Sequence, residues 1–155
     1  MSRTYRIKAT QHLPITLAEA WDFFSRPENL AKITPGDMAF TVTSEPSAAH
    51  IYAGQVIEYT LKPLFGIPVY WMTEITHVKD GEYFVDEQRF GPYSLWHHQH
   101  HFREVAGGVE MTDIVHYRIP YGFIGDIANA LLVGKKVKGI FDYRKIAVEK
   151  LFPLR

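Results

Sequence analysis

From Met38 onward, apolar and polar positions alternate with a period of two, and Phe65-Gly66, Asp80-Gly81, Gly91-Pro92 and Gly107-Gly108 interrupt the alternation. Period two marks half-buried strands, and Asp-Gly and Gly-Gly between such runs mark hairpin turns. The pattern predicts strands at Ala39–Ser44, Gln55–Lys62, Pro68–Val78, Tyr83–Phe90, Leu95–Val105 and Val109–Ile119, following one another as an antiparallel meander. An earlier strand is predicted over Tyr5–His12. After Pro14, Thr16 with Glu19 has capping-box spacing, and Leu17, Ala20, Trp21 and Phe24 then fall on one helical face. A second short helix is predicted from Pro27, capped by Ser25 and ending near Thr34-Pro35.

The C-terminal stretch reads as one long helix. Ile127, Leu131, Gly134, Val137, Phe141, Val148 and Leu151 form an apolar stripe, and Lys135, Lys136, Arg144, Lys145 and Glu149 are expected off it. Gly134 is expected either to leave room beneath the helix or to make a tight helix–sheet contact. The order strand, two short helices, six strands, long helix is α+β. The sheet needs a cover for its apolar face, and the long helix supplies one.

Alternation also assigns faces. In Leu95–Val105, one face carries Trp96, His98, His100 and Phe102; the other carries His97, Gln99, His101 and Arg103. The aromatics turn the first face inward. The neighbouring strands then point Ile57, Tyr59, Leu61, Trp71, Thr73, Ile75, Phe84, Asp86, Gln88, Met111, Asp113, Val115 and Tyr117 inward. A tight turn at Gly91-Pro92 sets Asp86 opposite His98. A Gly-Gly turn sets His100 opposite Val115, with Asp113 diagonal to it. Acids and imidazoles on an inner face must be paired or wet. They fit an internal hydrogen-bond network, the polar end of a ligand site, or acid–base chemistry.

Lys+Arg and Asp+Glu both count 17, a balance that argues against nucleic-acid binding, which needs a basic face, and the absence of cysteine excludes thiolate chemistry. The first residues carry no secretory apolar run, and no run reaches the roughly 18 residues of a membrane span. One domain spanning 1–155, cytoplasmic and without stable membrane insertion, is expected. The string His97-His98-Gln99-His100-His101 has metal-ligating residue types, but alternation splits the four imidazoles between faces; His98 and His100 with Asp86 or Asp113 remain the one set that could hold a metal, and no metal or other cofactor is expected.

Turns of a meander alternate between ends. One end gathers Phe65, Ile67, Phe90, Tyr93, Tyr121 and Phe123, an apolar set expected to form a cavity mouth, with a plug, a homodimer contact or a membrane-touching edge as its other uses.

Trp21 to Leu30 (WDFFSRPENL), Ile33-Thr-Pro, Gly66 to Trp71 (GIPVYW), Phe84 to Gln88 (FVDEQ), Gly91-Pro-Tyr, Trp96-x-His-x-His-x-Phe, Asp113-x-Val-x-Tyr and Ile140 to Arg144 (IFDYR) occur in this order. With the element order, they make the chain resemble the START-like (SRPBCC) superfamily, which includes the birch pollen allergen and polyketide cyclases, and within it a bacterial ligand-binding group. The resemblance implies a helix-grip fold: a curved seven-stranded antiparallel sheet wrapped around a long C-terminal helix, with two short helices after the first strand. It also implies a cavity between sheet and helix that holds a small hydrophobic or aromatic ligand. Tyr59, Trp71, Phe84, Trp96 and Phe141 would form its wall. Asp86, Gln88, His98, His100, Asp113 and Tyr117 would fix the ligand's polar end. A cyclase- or dehydratase-like enzyme using His98 or His100 with Asp86 or Asp113 is the alternative, and an interaction protein with a filled cavity is the third reading.

Overall fold

In the computed structural model, residues 3–45 and 50–154 are described. Strand β1 (Tyr5–Leu13) leads into α1 (Leu17–Phe24), then into short 3-10 segments at Pro27–Ile33 and Gly36–Met38. Strands β2 (Thr41–Val42), β3 (Val56–Leu61), β4 (Val69–Lys79), β5 (Tyr83–Phe90), β6 (Leu95–Val105) and β7 (Gly108–Arg118) follow. The chain closes with α2 (Gly122–Ala128), a π-helical turn (Asn129–Val133) and α3 (Gly134–Leu151). One antiparallel sheet runs in the order β1-β7-β6-β5-β4-β3-β2, so the first strand pairs with the last.

The capping box of α1 forms as expected: Glu19 N donates to Thr16 Oγ1 at 3.2 Å, and Thr16 N donates to Glu19 Oε2 at 2.8 Å. Trp21 then packs edge-on against Phe84 and Phe102 of the sheet, with ring centroids 5.9 and 5.5 Å away. Ser25 does not cap the second helix. That helix is a 3-10 segment beginning at Pro27, and the buried Ser25 hydroxyl pairs instead with His50 Nδ1 at 2.6 Å. The expected strand Ala39–Ser44 contracts to Thr41–Val42, because Ala39 adopts a left-handed conformation (φ 46°) that no strand accommodates.

The alternation in β6 holds: His98, His100 and Phe102 are buried while Arg103 is exposed. Asp86 sits opposite His98 as expected. The β6–β7 register differs by two residues: His98 faces Val115, and His100 faces Asp113 directly. The loop is Ala106-Gly107 rather than Gly-Gly. Gly108 belongs to the strand, where a Cβ would lie 2.0 Å from the Leu13 carbonyl oxygen. Its missing side chain lets β7 approach the end of β1. A shift of two preserves every residue's face. In β4, bulge-like irregularities lie between Met72 and Thr73 and between Ile75 and His77, yet Trp71, Thr73 and Ile75 stay inside.

The helix stripe needs correcting. Val137, Phe141 and Val148 are buried, but Ile127, Leu131 and Leu151 are exposed; Gly125 and Asn129 face the core in their place. The π turn inserts an extra residue at Asn129–Val133, which rotates the preceding helix relative to α3. Gly134 closes that turn, its N–H bonding the Asn129 carbonyl. A Cβ at Gly134 would meet that oxygen at 3.0 Å, so the glycine makes neither of the contacts expected of it. Arg144, expected outside, is buried with Phe141 and Val148. Complete burial of Val115, Val137 and Val148 contributes about 1.5–3 kcal/mol each to holding helix on sheet.

Candidate functional site

Between the inner face of the sheet and α3 lies a cavity of about 410 Å³. Its apolar wall includes Tyr59, Trp71 and Trp96 from the sheet and Ile140 and Phe141 from the helix. The aromatics are fixed by their own polar tips. The Thr73 hydroxyl oxygen accepts from Tyr59 Oη at 2.6 Å and from Trp71 Nε1 at 3.0 Å. Burial pushes the Tyr59 and Tyr93 phenols well above their ordinary range, so both stay neutral. Trp71 and Trp96 meet edge to face at 5.3 Å. A smaller chamber of about 70 Å³ adjoins, reaching Phe23, Phe24 and Phe84.

Asp86, His98, His100 and Arg144 line the main cavity, and all but His98 also border the small chamber. Asp113 stands behind the imidazoles, outside both walls. The short bonds run diagonally across the sheet: His98 Nε2 donates to Asp113 Oδ1 at 2.7 Å, and His100 Nε2 donates to Asp86 Oδ2 at 2.6 Å. The remaining nitrogens face the other carboxylates. His98 Nδ1 is 3.6 Å from Asp86 Oδ2, and His100 Nδ1 is 3.1 Å from Asp113 Oδ1 but not aligned to bond it. Two imidazoles are thus bracketed by two carboxylates, and Phe84 stacks on His100 with centroids 4.0 Å apart.

Charge follows from this geometry. Burial alone would raise both acids. Facing His98, His100 and Arg144 instead lowers Asp86, and contacts with His100, His98 and Arg144 hold Asp113 well below the ordinary carboxylate range. Burial, then the neighbouring His100, lowers His98. His100 is also penalised by burial, but its contacts with Asp113 and Asp86 outweigh that and raise it. The cluster thus sets two carboxylates kept ionised against the Arg144 guanidinium, and of the two imidazoles His100 takes a proton more readily than His98, which donates through Nε2.

Some expected ligand contacts stand behind the wall. Gln88 clamps the β5–β6 turn, its Nε2 donating to the Tyr93 carbonyl at 2.6 Å and its Oε1 accepting from Tyr93 N at 3.1 Å. Tyr117 is buried and donates to Asn129 Oδ1 at 2.9 Å. Phe84 lines only the small chamber. At the apolar end, Tyr93 and Tyr121 border the cavity together with Leu64, Pro92 and Ile124. Phe65, Ile67, Phe90 and Phe123 lie on the outside; Phe65 is 81% and Tyr121 82% exposed, so these two do not plug the opening. Phe90 packs on Tyr70 instead. Phe65 and Tyr121 both hold left-handed backbone, φ 54° and 73°.

Arg144 is the site residue that the sequence reading placed outside. Its signal was the spacing Val137, Phe141, Arg144, Val148, a helical stripe that includes it. Among the described residues, Asp86, His98 and His100 also form a group whose potential metal-ligating atoms lie within 4.8 Å of one another. That donor set suits a borderline divalent ion. His100 and Asp86 are already engaged in their mutual bond.

No family model matches the chain, and no curated protein matches it by sequence. Solved structures do match. Protein CV1439 from Chromobacterium violaceum superposes with a TM-score of 0.72 at 16% identity, over 97% of this chain and 99% of that one. Ginseng major latex-like protein 151 from Panax ginseng gives 0.70 at 11% identity, over 97% and 99%. TTHA0849 from Thermus thermophilus gives 0.65 at 12% identity, over 95% and 99%. Among the described residues no helix is long and apolar enough to cross a membrane. At these identities the likeness is one of architecture: the chain has the helix-grip fold of the START-like, birch-pollen-allergen-like proteins.

Proposed function

We propose that this protein is a cytoplasmic binding module that holds one small hydrophobic or aromatic molecule between the sheet and α3. The observation that carries this reading is the cavity of about 410 Å³, with aromatic walls and a few convergent polar groups at one side. Ligand sites are mostly apolar, with a small number of placed polar groups that orient the occupant. Tyr59, Trp71, Trp96 and Phe141 supply apolar contact. Asp86, His98 and His100 meet the polar end, and Asp113 fixes the imidazoles from behind. Leu64, Tyr93, Tyr121 and Ile124 frame the entrance. A filled interior, as an interaction protein would have, does not fit this volume.

A neutral, polarity-sensitive dye such as Nile red tests the reading. Saturable binding, displaced by decanol or another small apolar compound, is the expected result. Native mass spectrometry of freshly purified protein should show a co-purifying small molecule. Absence of saturable binding by any apolar probe would overturn it.

One observation favours a second reading, acid–base catalysis: both imidazoles border open volume with a carboxylate behind them. In that case His98, neutral and held by Asp113, is the base. Turnover of a cyclisable or dehydratable compound that is lost in His98→Gln would support it.

A further inference from the structure

Arg144 is 9% exposed, lies on the inner face of α3 and borders both chambers. Its guanidinium offers five N–H donors in a fixed planar fork. Little inside the protein receives them. The approach to Asp113 Oδ1 is 3.5 Å, too long and one-sided for a bidentate bond, and the buried Nε has no hydrogen-bond partner. Phe141 lies along the guanidinium at 5.1 Å and holds it from the apolar side. His100 Nδ1 makes no aligned hydrogen bond, but it faces Asp113 Oδ1 at 3.1 Å, behind the cavity wall. Buried donors are normally satisfied, so a guanidinium with an unpartnered nitrogen beside an open cavity marks a place built for an acceptor from outside the chain.

We propose that the occupant of this cavity is an apolar molecule ending in a carboxylate, and that Arg144 docks that group. The proposal rests on the cavity being a ligand site and names the class of ligand. A carboxylate matches the guanidinium fork, accepting two parallel N–H bonds. Charge permits it: Arg144 and the two imidazoles stand against Asp86 and Asp113, so one added negative charge meets a cluster with cationic groups to match it. A dianion such as a phosphate monoester would face Asp86 with a second uncompensated charge. His98, which burial and His100 hold back from protonation, can take up a proton as the carboxylate arrives. The apolar wall excludes small hydrated anions, which have nothing to bury against Trp71 and Trp96.

The test compares decanoate with decanol, titrated calorimetrically into the intact protein and into Arg144→Met and Arg144→Lys. The wild-type protein should bind decanoate about tenfold or more tighter than decanol, the scale of a charge-assisted hydrogen bond. Arg144→Met should abolish that preference and leave decanol affinity within about twofold. Arg144→Lys, which keeps the charge and loses the fork, should retain part of the preference; it carries the decision if the methionine variant does not fold. Equal affinities in the wild type, or an undiminished preference in the variants, would overturn the carboxylate assignment while leaving the cavity reading intact. Failure of decanoate, decanol and Nile red alike to bind the wild type would overturn the cavity reading, and this inference with it.

Discussion

The imidazoles of His98 and His100 stand with ring centroids 3.7 Å apart, yet each donates to a different carboxylate, His98 to Asp113 on β7 and His100 to Asp86 on β5. Three adjacent strands are thereby stitched on their inner face by side chains, beside a cavity. Two neighbouring buried imidazoles would repel each other if both were charged. The two acids divide them, and His100 is raised while burial and His100 lower His98.

Replacing His98 with leucine tests this division. Asp113 would lose its 2.7 Å partner while remaining buried. Urea unfolding should show a loss of about 1–3 kcal/mol, and dye affinity should fall as well. His97→Leu on the opposite face should change stability by only about 0.5 kcal/mol, because its bond to Glu87 is a half-buried surface pair. Equal effects of the two substitutions would refute the face assignment. Loss of folding with unchanged affinity of the folded fraction would make the network purely structural.

The pH dependence of stability has a definite sign for each group. His100 is raised above 6.5, so its contribution is complete below that pH and is lost as pH rises through its folded value. Asp86 and Asp113 are lowered, so theirs is present above the ordinary Asp value and is lost as pH falls through their folded values. His98 is lowered, and opposes His100 with a contribution lost as pH falls below 6.5. Denaturation at a series of pH values should therefore show the wild type losing stability relative to His100→Asn as pH climbs above 6.5. Parallel curves for the two proteins on the alkaline side would contradict this.

Tyr121 and Gly122 both hold left-handed backbone at the entrance, φ 73° and 58°. A tyrosine carries a steric cost there that a glycine does not. With its side chain 82% exposed, Tyr121→Gly sacrifices little packing. Thermal unfolding should show the variant stabilised by about 0.5–1 kcal/mol. A clear destabilisation would mean that the exposed ring makes a contact that outweighs the strain.

Tag-free protein should carry no stoichiometric transition metal, although Asp86, His98 and His100 bring ligand atoms within 4.8 Å of one another. A metal there competes with the 2.6 Å bond between His100 and Asp86, and it adds a dication beside Arg144. Elemental analysis finding one zinc or iron per chain would reverse this expectation. A large rise in melting temperature on adding zinc would do the same.

The parts legible in the sequence were those set by local rules. Thr16 and Glu19 announced α1, and the alternation Trp96, His98, His100, Phe102 announced which face of β6 is inside. Both signals act over a few residues. The carboxylate each histidine bonds depends on register, and register turned on Gly108. Two adjacent glycines read as a turn, whereas the second is required because β7 passes close to the backbone at Leu13. That requirement is tertiary and leaves no local mark. Arg144 was misplaced for a different reason. Charge assigned it to solvent, while its spacing from Phe141 and Val148 assigned it to the stripe, and here spacing was the stronger rule. Ile127 and Leu131 failed in the opposite sense, because one wide turn at Asn129–Val133 breaks the periodicity on which they were counted.

The space beneath α3 also gives the protein a mechanical character. Whatever part of this room of about 410 Å³ its aromatic wall keeps free of water makes the folded chain larger than the same chain unfolded with water at every surface. Hydrostatic pressure then acts as a specific denaturant, one that works on the hollow rather than on the hydrogen bonds. An occupant that fills the hollow removes the volume difference with it. Loaded and unloaded forms should thus diverge under compression more than under heat, and the stiffness of the domain becomes a readout of whether anything is inside it.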